Sequence, residues 1–176
     1  AAEKEGCLRE TLIVVSALSI QDPRERPLEK QQAADEKHRR FHYPGSDFLT
    51  VVNLWDWYHG QSKHLSQNKL RKLCKNDFLS YVRMREWREI HRQLRGMLHD
   101  MGIKDEDDGA VKPFDPDNPE EGRKIPADAV HRSLLTGLLG LIGQRIEEKK
   151  KPRKPKGKRP LQEFQGARNR RFAIFP

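Results

Sequence analysis

A chain of 176 residues has room for one ordinary domain, or for one domain with an appendage. Hydrophobic residues make up 35% and charged residues another 35%, so part of the chain can bury a core while other stretches stay in water. The formal net charge of +9 points to an acidic partner, most often nucleic acid.

The first helix is predicted over residues 7–20, CLRETLIVVSALSI, apolar nearly all round as a central core element is. Its run is too short to span a bilayer and lacks the flanks of a signal peptide, so no membrane contact and a cytoplasmic location are expected. Asp22-Pro23 stops it, and Pro27 keeps the next segment extended or turned. A second helix, over 28–42, has Ala33, Ala34 and Phe41 as apolar members and a basic end, Lys37 to Arg40, that suits a helix C-terminus. Pro44-Gly45 breaks the pattern. Ser46 is the expected N-cap of a third helix carrying Phe48, Val51, Val52, Leu54, Trp55 and Tyr58, with Gly60 as its end. Ser66 opens a fourth, with Leu70, Leu73, Cys74 and Phe78 at helical spacing. The longest helix is predicted from Tyr81 to Met101, with Gly102 as the residue that turns the chain out of it.

That long helix places Trp87, Ile90, Leu94, Met97, Leu98 and Met101 on one face. Arg85, Arg88, Arg92, Arg95 and His99 are expected as a stripe on the opposite side. From the residues alone such a stripe is a solvated outer face or a surface that follows a phosphate backbone.

Residues 105–121 hold eight acids against Lys112, net −7, and read as a linker or surface loop. Pro126 opens a last helix, expected over 126–144, with Val130, Leu134, Leu135, Leu138, Leu139 and Ile142 on a wide apolar face. Residues 145–160, RIEEKKKPRKPKGKRP, carry nine Lys or Arg against two Glu, net +7. They read as an extended arm able to hold phosphates without sequence preference, or as a solubilising insertion. Residues 161–176 close the chain as a two-stranded hairpin, with Phe172 to Phe175 as its second strand. A hairpin alone is marginal in water, so it docks on something earlier or opens a larger sheet. The predicted organisation is a helical domain over 1–104, an acidic segment over 105–125, the last helix over 126–144, the basic arm over 145–160 and the β end over 161–176. The fold class is mainly α, a helical bundle followed by an incomplete β hairpin.

No catalytic motif is found. The chain has no G-x-x-x-x-G-K-[ST] phosphate loop, no G-x-S-x-G elbow and no H-E-x-x-H. Asp35-Glu36-Lys37-His38 has the letters of an acidic ATPase box, but it follows Lys30-Gln31-Gln32-Ala33-Ala34 in a helical context rather than a buried strand. Cys7 and Cys74 sit in apolar-periodic stretches and make a poor zinc site; both are expected reduced and partly buried, as in a cytosolic protein. His38 and His42 lack a third ligand and read as surface residues. The three tryptophans read as packing residues, with Trp57 the most exposed.

Several stretches resemble one family. LIVVSALSIQDPRERP and EKQQAADEKHRRF look like the helicase-associated region of DEAH-box RNA helicases. Ser46-Asp47-Phe48-Leu49 with Asn53-Leu54-Trp55 resembles a further segment, although Ser46 and Phe48 stand where the family has Gly and His. FLSYVRMREWREIHRQL is similar to its Arg-rich helix, HRSLLTGLLGLIG to its last bundle helix and FQGARNRRFAIFP to the opening of its OB-fold. The wording of QDPRERP and GARNRRFAIFP is similar to the bacterial HrpA type. The resemblance implies a ratchet-like domain and the first strands of an OB-fold. It also implies that Pro176 is a boundary within a larger sheet.

By the same resemblance, RecA-like motor domains, which would bind ATP and Mg, and a winged helix lie upstream, and this chain itself takes no cofactor. The implied partner is single-stranded RNA. The resemblance places the Arg-rich helix, with Arg83, Arg85 and Arg88 near its start, beside the RNA. Arg92 and Arg95 of the stripe, and Lys154, Lys156 and Lys158 of the basic arm, which looks like an insertion before the OB-fold, are candidate contacts by their charge alone. A protein-interaction platform and a free-standing basic RNA-binding protein are the competing functions.

Overall fold

The computed structural model describes residues 1–104, 112–119, 124–146 and 162–174. The chain divides into two compact units, Ala1–Ser133 and Leu134–Pro176. Among the described residues there are six α-helices: α1 (Leu8–Leu18), α2 (Gln31–Arg39), α3 (Asp47–His64), α4 (Gln67–Asn76), α5 (Tyr81–Asp100) and α6 (Ala127–Leu138). Three short strands follow: β1 (Gly143–Arg145), β2 (Glu163–Gly166) and β3 (Arg171–Ala173). The mainly helical class with a partial β end is as expected; the strand count and several boundaries differ.

In the first unit α1 and α5 pack together and α1 also packs on α3. Trp87 of α5 is fully buried at this meeting point. Its ring lies 4.9 Å from that of Trp55 on α3. Its Nε1–H donates to the Ser16 hydroxyl at 2.9 Å and to the Ile13 carbonyl at 3.2 Å on α1. A large ring that finds both apolar cover and a partner for its N–H is stable in a core.

The core is not purely apolar. The pattern of α1 predicts a helix hydrophobic all round, yet Val15 and Leu18 are exposed while Arg9 and Glu10 are buried. Arg9 Nη2 donates to the Asp56 carboxylate of α3, itself buried, and Arg9 Nη1 stands 3.9 Å from Glu10. Burying an arginine requires such acids, since an isolated buried charge is far too costly. His91 of α5 is also buried, 4.4 Å from the Trp55 ring. Trp57 is buried too, at 5% exposure the least covered of the three tryptophans. Phe41 covers it from 5.1 Å and the Arg40 guanidinium lies 4.9 Å from its ring.

Two glycines have distinct structural parts. Gly60 does not end α3 as expected; the helix continues to His64. A Cβ on Gly60 would meet Pro113 at 2.7 Å. The glycine is thus the space into which Pro113 fits, while Phe114 packs 6.5 Å from Phe41. Part of the acidic stretch therefore lies against α3. Gly102, at φ +77, turns the chain out of α5 as predicted. Ser46 caps α3 by accepting from the Leu49 N–H at 3.3 Å, whereas the Ser66 side chain makes no cap bond. The segment predicted as one helix over 28–42 is a short 3₁₀ turn, Leu28–Lys30, followed by α2.

The first turns of α6 are fastened to the first unit by polar contacts. Cys7 Sγ lies 3.3 Å from Ser133 Oγ, Ser46 Oγ shares a 2.7 Å hydrogen bond with His131 Nε2, and Arg132 pairs with Glu5 at 2.7 Å. Cys7 and Cys74 are both free and buried. Burial pushes the Cys74 thiol up to about 12 and keeps it unreactive.

In the second unit the helix predicted to reach residue 144 stops at Leu138. A 3₁₀ turn, Leu139–Leu141, leads into β1. The expected two-stranded hairpin is a three-stranded antiparallel sheet of order β1-β2-β3. The sequence pattern hid β1 because its Gly143 and Gln144 look like the end of a glycine-rich helix. Gly143 pairs with Gly166 across β1 and β2, and Phe172 of β3 fills the slot they leave. The Phe172 ring also stacks on its register partner Phe164 at 5.8 Å. Residues 147–161, which join β1 to β2 in sequence, lie outside the described residues, and so does most of the basic arm.

Replacing Asp56 by Ala leaves Arg9 buried without its nearest acid. The expected loss is about 3 kcal/mol of unfolding free energy, measured by urea denaturation; a loss below about 1 kcal/mol would show that Arg9 does not depend on that pair. In the sheet, Gly143→Val puts branched carbon atoms where the Phe172 ring sits. Amide exchange across β1 and β2 should then rise to loop-like rates, with the helical unit unchanged.

Candidate nucleic-acid interface

The surface of α5 is set by the segment over residues 22–26, Asp-Pro-Arg-Glu-Arg. Three of its four charged side chains, Asp22, Arg24 and Arg26, are spent on holding the fold. Arg24 grips Asp22 through Nε at 3.0 Å and Nη2 at 2.7 Å, and its backbone N–H bonds the same carboxylate at 2.9 Å. Arg26 grips Asp35 of α2 at 2.7 and 2.6 Å. The backbone then pairs with the α4–α5 connection: Ser80 N–H donates to the Pro23 carbonyl and Glu25 N–H to the Phe78 carbonyl, both at 2.8 Å.

Phe78 sits in that connection at φ +52, a conformation rare for a bulky side chain. Its surroundings hold it there. Its carbonyl also accepts from His38 Nε2 at 3.1 Å. The buried neighbour Asp77 takes Arg40 at 2.8 Å and Lys37 at 3.6 Å. Strain of this kind persists where the environment over-determines it.

The arginines expected to contact RNA fall into different settings. The stripe does not lie opposite the apolar face. Arg85, Arg88 and Arg92 each follow a buried residue of α5, namely Met84, Trp87 and His91. At about 3.6 residues per turn the stripe therefore runs along one flank of the buried seam. The side facing away from the core carries Glu86, Glu89 and Gln93, all exposed. The apolar prediction is too long at its far end, where Met97 and Met101 are exposed.

Arg85 is exposed at the start of the stripe. Arg88 is exposed; burial above all pushes the nearby Tyr58 phenol of α3 up to about 12, against a smaller lowering effect of the Arg88 charge. Arg92 is exposed and paired with Glu89 through Nε at 3.3 Å and a shorter Nη2 contact. Arg95 is half-buried and engaged. Arg83 stands apart from the stripe and donates to the Asp22 carbonyl at 2.9 Å, which makes it part of the fold's framework. Lys154, Lys156 and Lys158 lie outside the described residues.

Cations that the sequence pattern did not single out join Arg85 around a groove of about 460 Å³. Lys30 comes from the 3₁₀ turn before α2, and Arg71 and Lys75 come from α4. Tyr81, Val82, Phe78 and Pro27 line the same groove, with Glu25 as its acidic member. The Arg71 guanidinium lies 5.2 Å from the Tyr81 ring centre. The four cations, Lys30 to Arg85, are separated by up to 55 positions, and the pairing of 23–25 with 78–80 together with the packing of α4 on α5 brings them together. A weak signal was present: Arg71 and Lys75 stand one turn apart on a helix whose buried residues are Leu70 and Cys74.

Among the described residues no group of His, Cys, Asp or Glu is placed to hold a metal ion, and no helix is long and apolar enough to cross a membrane.

Residues 1–51 match the family described as helicase associated domain (HA2), ratchet-like. The chain is 49% identical over 175 residues, 99% of its length, to the ATP-dependent RNA helicase HrpA of Escherichia coli. It is 44% identical over 171 residues, 97% of its length, to the HrpA homolog of Haemophilus influenzae. Over 89 residues, 51% of its length, it is 32% identical to the pre-mRNA-splicing factor ATP-dependent RNA helicase prp22 of Schizosaccharomyces pombe, 7% of which is covered. The chain spans 11% of the length of each of the two bacterial relatives.

The helical unit therefore opens with a ratchet-like, helicase-associated region. Along nearly its whole length the chain matches one region of the HrpA-type helicases.

Burial opposes the ionisation of Asp22, but the Arg24 side chain, its backbone N–H and its charge outweigh this and hold the carboxyl below its ordinary value. A carboxyl lowered in the fold stabilises above its unfolded pKa of about 3.9 and loses that contribution as pH falls through the folded value. Unfolding free energy titrated downward from about pH 5 should therefore fall more steeply for the native chain than for Asp22→Asn. Equal slopes would mean that the Asp22–Arg24 clamp adds nothing to the fold.

Proposed function

We propose that this chain is an RNA-holding accessory region of an HrpA-type RNA helicase. It keeps single-stranded RNA beside RecA-like motor domains, carried elsewhere in the longer protein, which bind ATP and Mg and supply the hydrolysis. The three-stranded sheet is the start of an OB-fold that further strands complete, and the protein works in the cytoplasm.

The observation that carries this is the cationic flank of α5. Arg85, Arg88 and Arg92 are exposed on a helix whose other side is locked by Trp87. Guanidinium groups on a fixed helix contact phosphates of any sequence, which suits a protein that moves along RNA. Similarity to proteins named RNA helicases supports the same partner.

A second reading, a platform for a protein partner, has one observation behind it. Leu18 is 56% exposed and Val15 is exposed beside it, and Leu18 borders a small, mostly apolar hollow with Phe48 and Val51. Fluorescence anisotropy with single-stranded RNA separates the two. Replacing Arg85, Arg88 and Arg92 by Gln should weaken binding about tenfold or more and flatten its salt dependence by about 0.7 for each phosphate no longer neutralised. Thermal unfolding checks that the variant still folds. RNA affinity unchanged by the three substitutions would remove the flank from the RNA path. A protein partner bound tightly at high salt, and released by Leu18→Asp, would favour the platform.

A further inference from the structure

We propose that the groove between the 28–30 turn, α4 and the first turn of α5 is a seat for single-stranded RNA, with Arg71, Lys75, Lys30 and Arg85 on successive phosphates and Tyr81 against a base. This rests on the RNA reading above and deepens it. It names residues that the arginine flank does not include.

The groove is built of the two kinds of group that a single strand presents. Four cations from three elements line it against one acid, Glu25. Arg71 and Lys75 stand one turn apart, about 6 Å along the helix axis, which lets an extended strand be met phosphate by phosphate. Between the cations lie Tyr81, Phe78 and the 73% exposed Val82. A strand of nucleotides offers flat apolar faces to such surfaces, and stacking on an aromatic ring tolerates any base. An acidic peptide would use the cations but leave Tyr81 and Val82 without a matching face.

The seat is also rigid. Arg71 lies over the Tyr81 ring, so its guanidinium has a fixed approach. The wall between α4 and α5 is held by the Glu25–Phe78 and Ser80–Pro23 backbone bonds and by the buried Asp77 with its two cations. A preformed cationic site loses less on binding than one that must order itself. Arg85 belongs to both the groove and the α5 flank, so a strand lying in the groove continues directly onto Arg88 and Arg92.

The test uses the full 176-residue chain and labelled oligouridylate in anisotropy titrations over a range of salt. The double variant Arg71→Gln/Lys75→Gln changes only exposed residues. It should lower the slope of log affinity against log salt by about 1.4, two phosphates at about 0.7 each, and weaken binding about tenfold. Tyr81→Leu should weaken binding about fivefold with the slope unchanged, since stacking releases no counterions.

The groove assignment falls if the double variant binds as the parent does while Arg88→Gln/Arg92→Gln abolishes binding; the RNA reading then survives without it. If the parent chain shows no salt-dependent RNA binding, the RNA reading itself is wrong and the groove goes with it. Polyglutamate of matched charge and inorganic phosphate complete the comparison. Oligouridylate binding far more tightly than either supports the seat. Polyglutamate binding as tightly makes the groove a site for acidic protein, and phosphate binding as tightly makes it an isolated anion site; each overturns the proposal.

Discussion

The placement of Trp87 is the constraint on which the rest of the helical unit depends. An indole carries a large apolar surface and one N–H that must not be buried alone. Here the surface is covered by Trp55 of α3 and the N–H by Ser16 and Ile13 of α1. One side chain therefore fixes α5 against two helices at once, in rotation as well as position. Once that rotation is fixed, the residue after each buried position of α5 must emerge along the same flank. The line of Arg85, Arg88 and Arg92 is thus a consequence of where Met84, Trp87 and His91 are buried.

The segment over 22–26 shows how a charged motif can serve structure alone. It carries two arginines and two acids and reads like a binding sequence. In the fold Arg24 and Arg26 are closed onto Asp22 and Asp35 in two-pronged pairs. Exposed pairs of this kind add little stability one at a time. Their effect is geometric: the segment between them is held straight enough for 23–25 to pair with 78–80. That pairing sets the connection between α4 and α5, holds Phe78 in its strained conformation and brings Lys30 to the same groove as Arg71 and Arg85. Arg83 completes the connection by reaching back to the Asp22 carbonyl, so its place in sequence beside the stripe does not make it a member of the stripe.

What the sequence made legible follows from the range of the physics involved. Helix content, the capping by Ser46, the turn at Gly102 and the long amphipathic α5 all rest on interactions within a few residues, and all were readable. Gly60 was misjudged because a glycine that breaks a helix and a glycine that makes room for Pro113 look the same locally. Arg9 was unreadable as a core residue because its burial depends on Asp56, in a different helix. β1 was missed because a glycine such as Gly143 weakens any periodic signal, and its value appears only when Phe172 arrives from another strand. The cations of the groove were missed for the same reason: Lys30, Arg71 and Arg85 form a set only after the chain has folded.

A cationic flank beside a buried seam also differs physically from one on a free outer face. On a free face each arginine is independent of the core and only its charge matters. Arg88 instead lies near enough to the buried Tyr58 of α3 for its charge to act on that phenol, and Arg85 belongs to both the flank and the groove. Several N–H donors on one planar group can serve a protein partner and a phosphate together. A strand held there would pull on α5, and linkage requires any preference of the strand for one α5 position to be returned as a preference of α5 for the strand. Because Trp87 joins α5 to both α1 and α3, that load is carried by the helical core as a whole, which is the property that the proposed RNA-holding role requires.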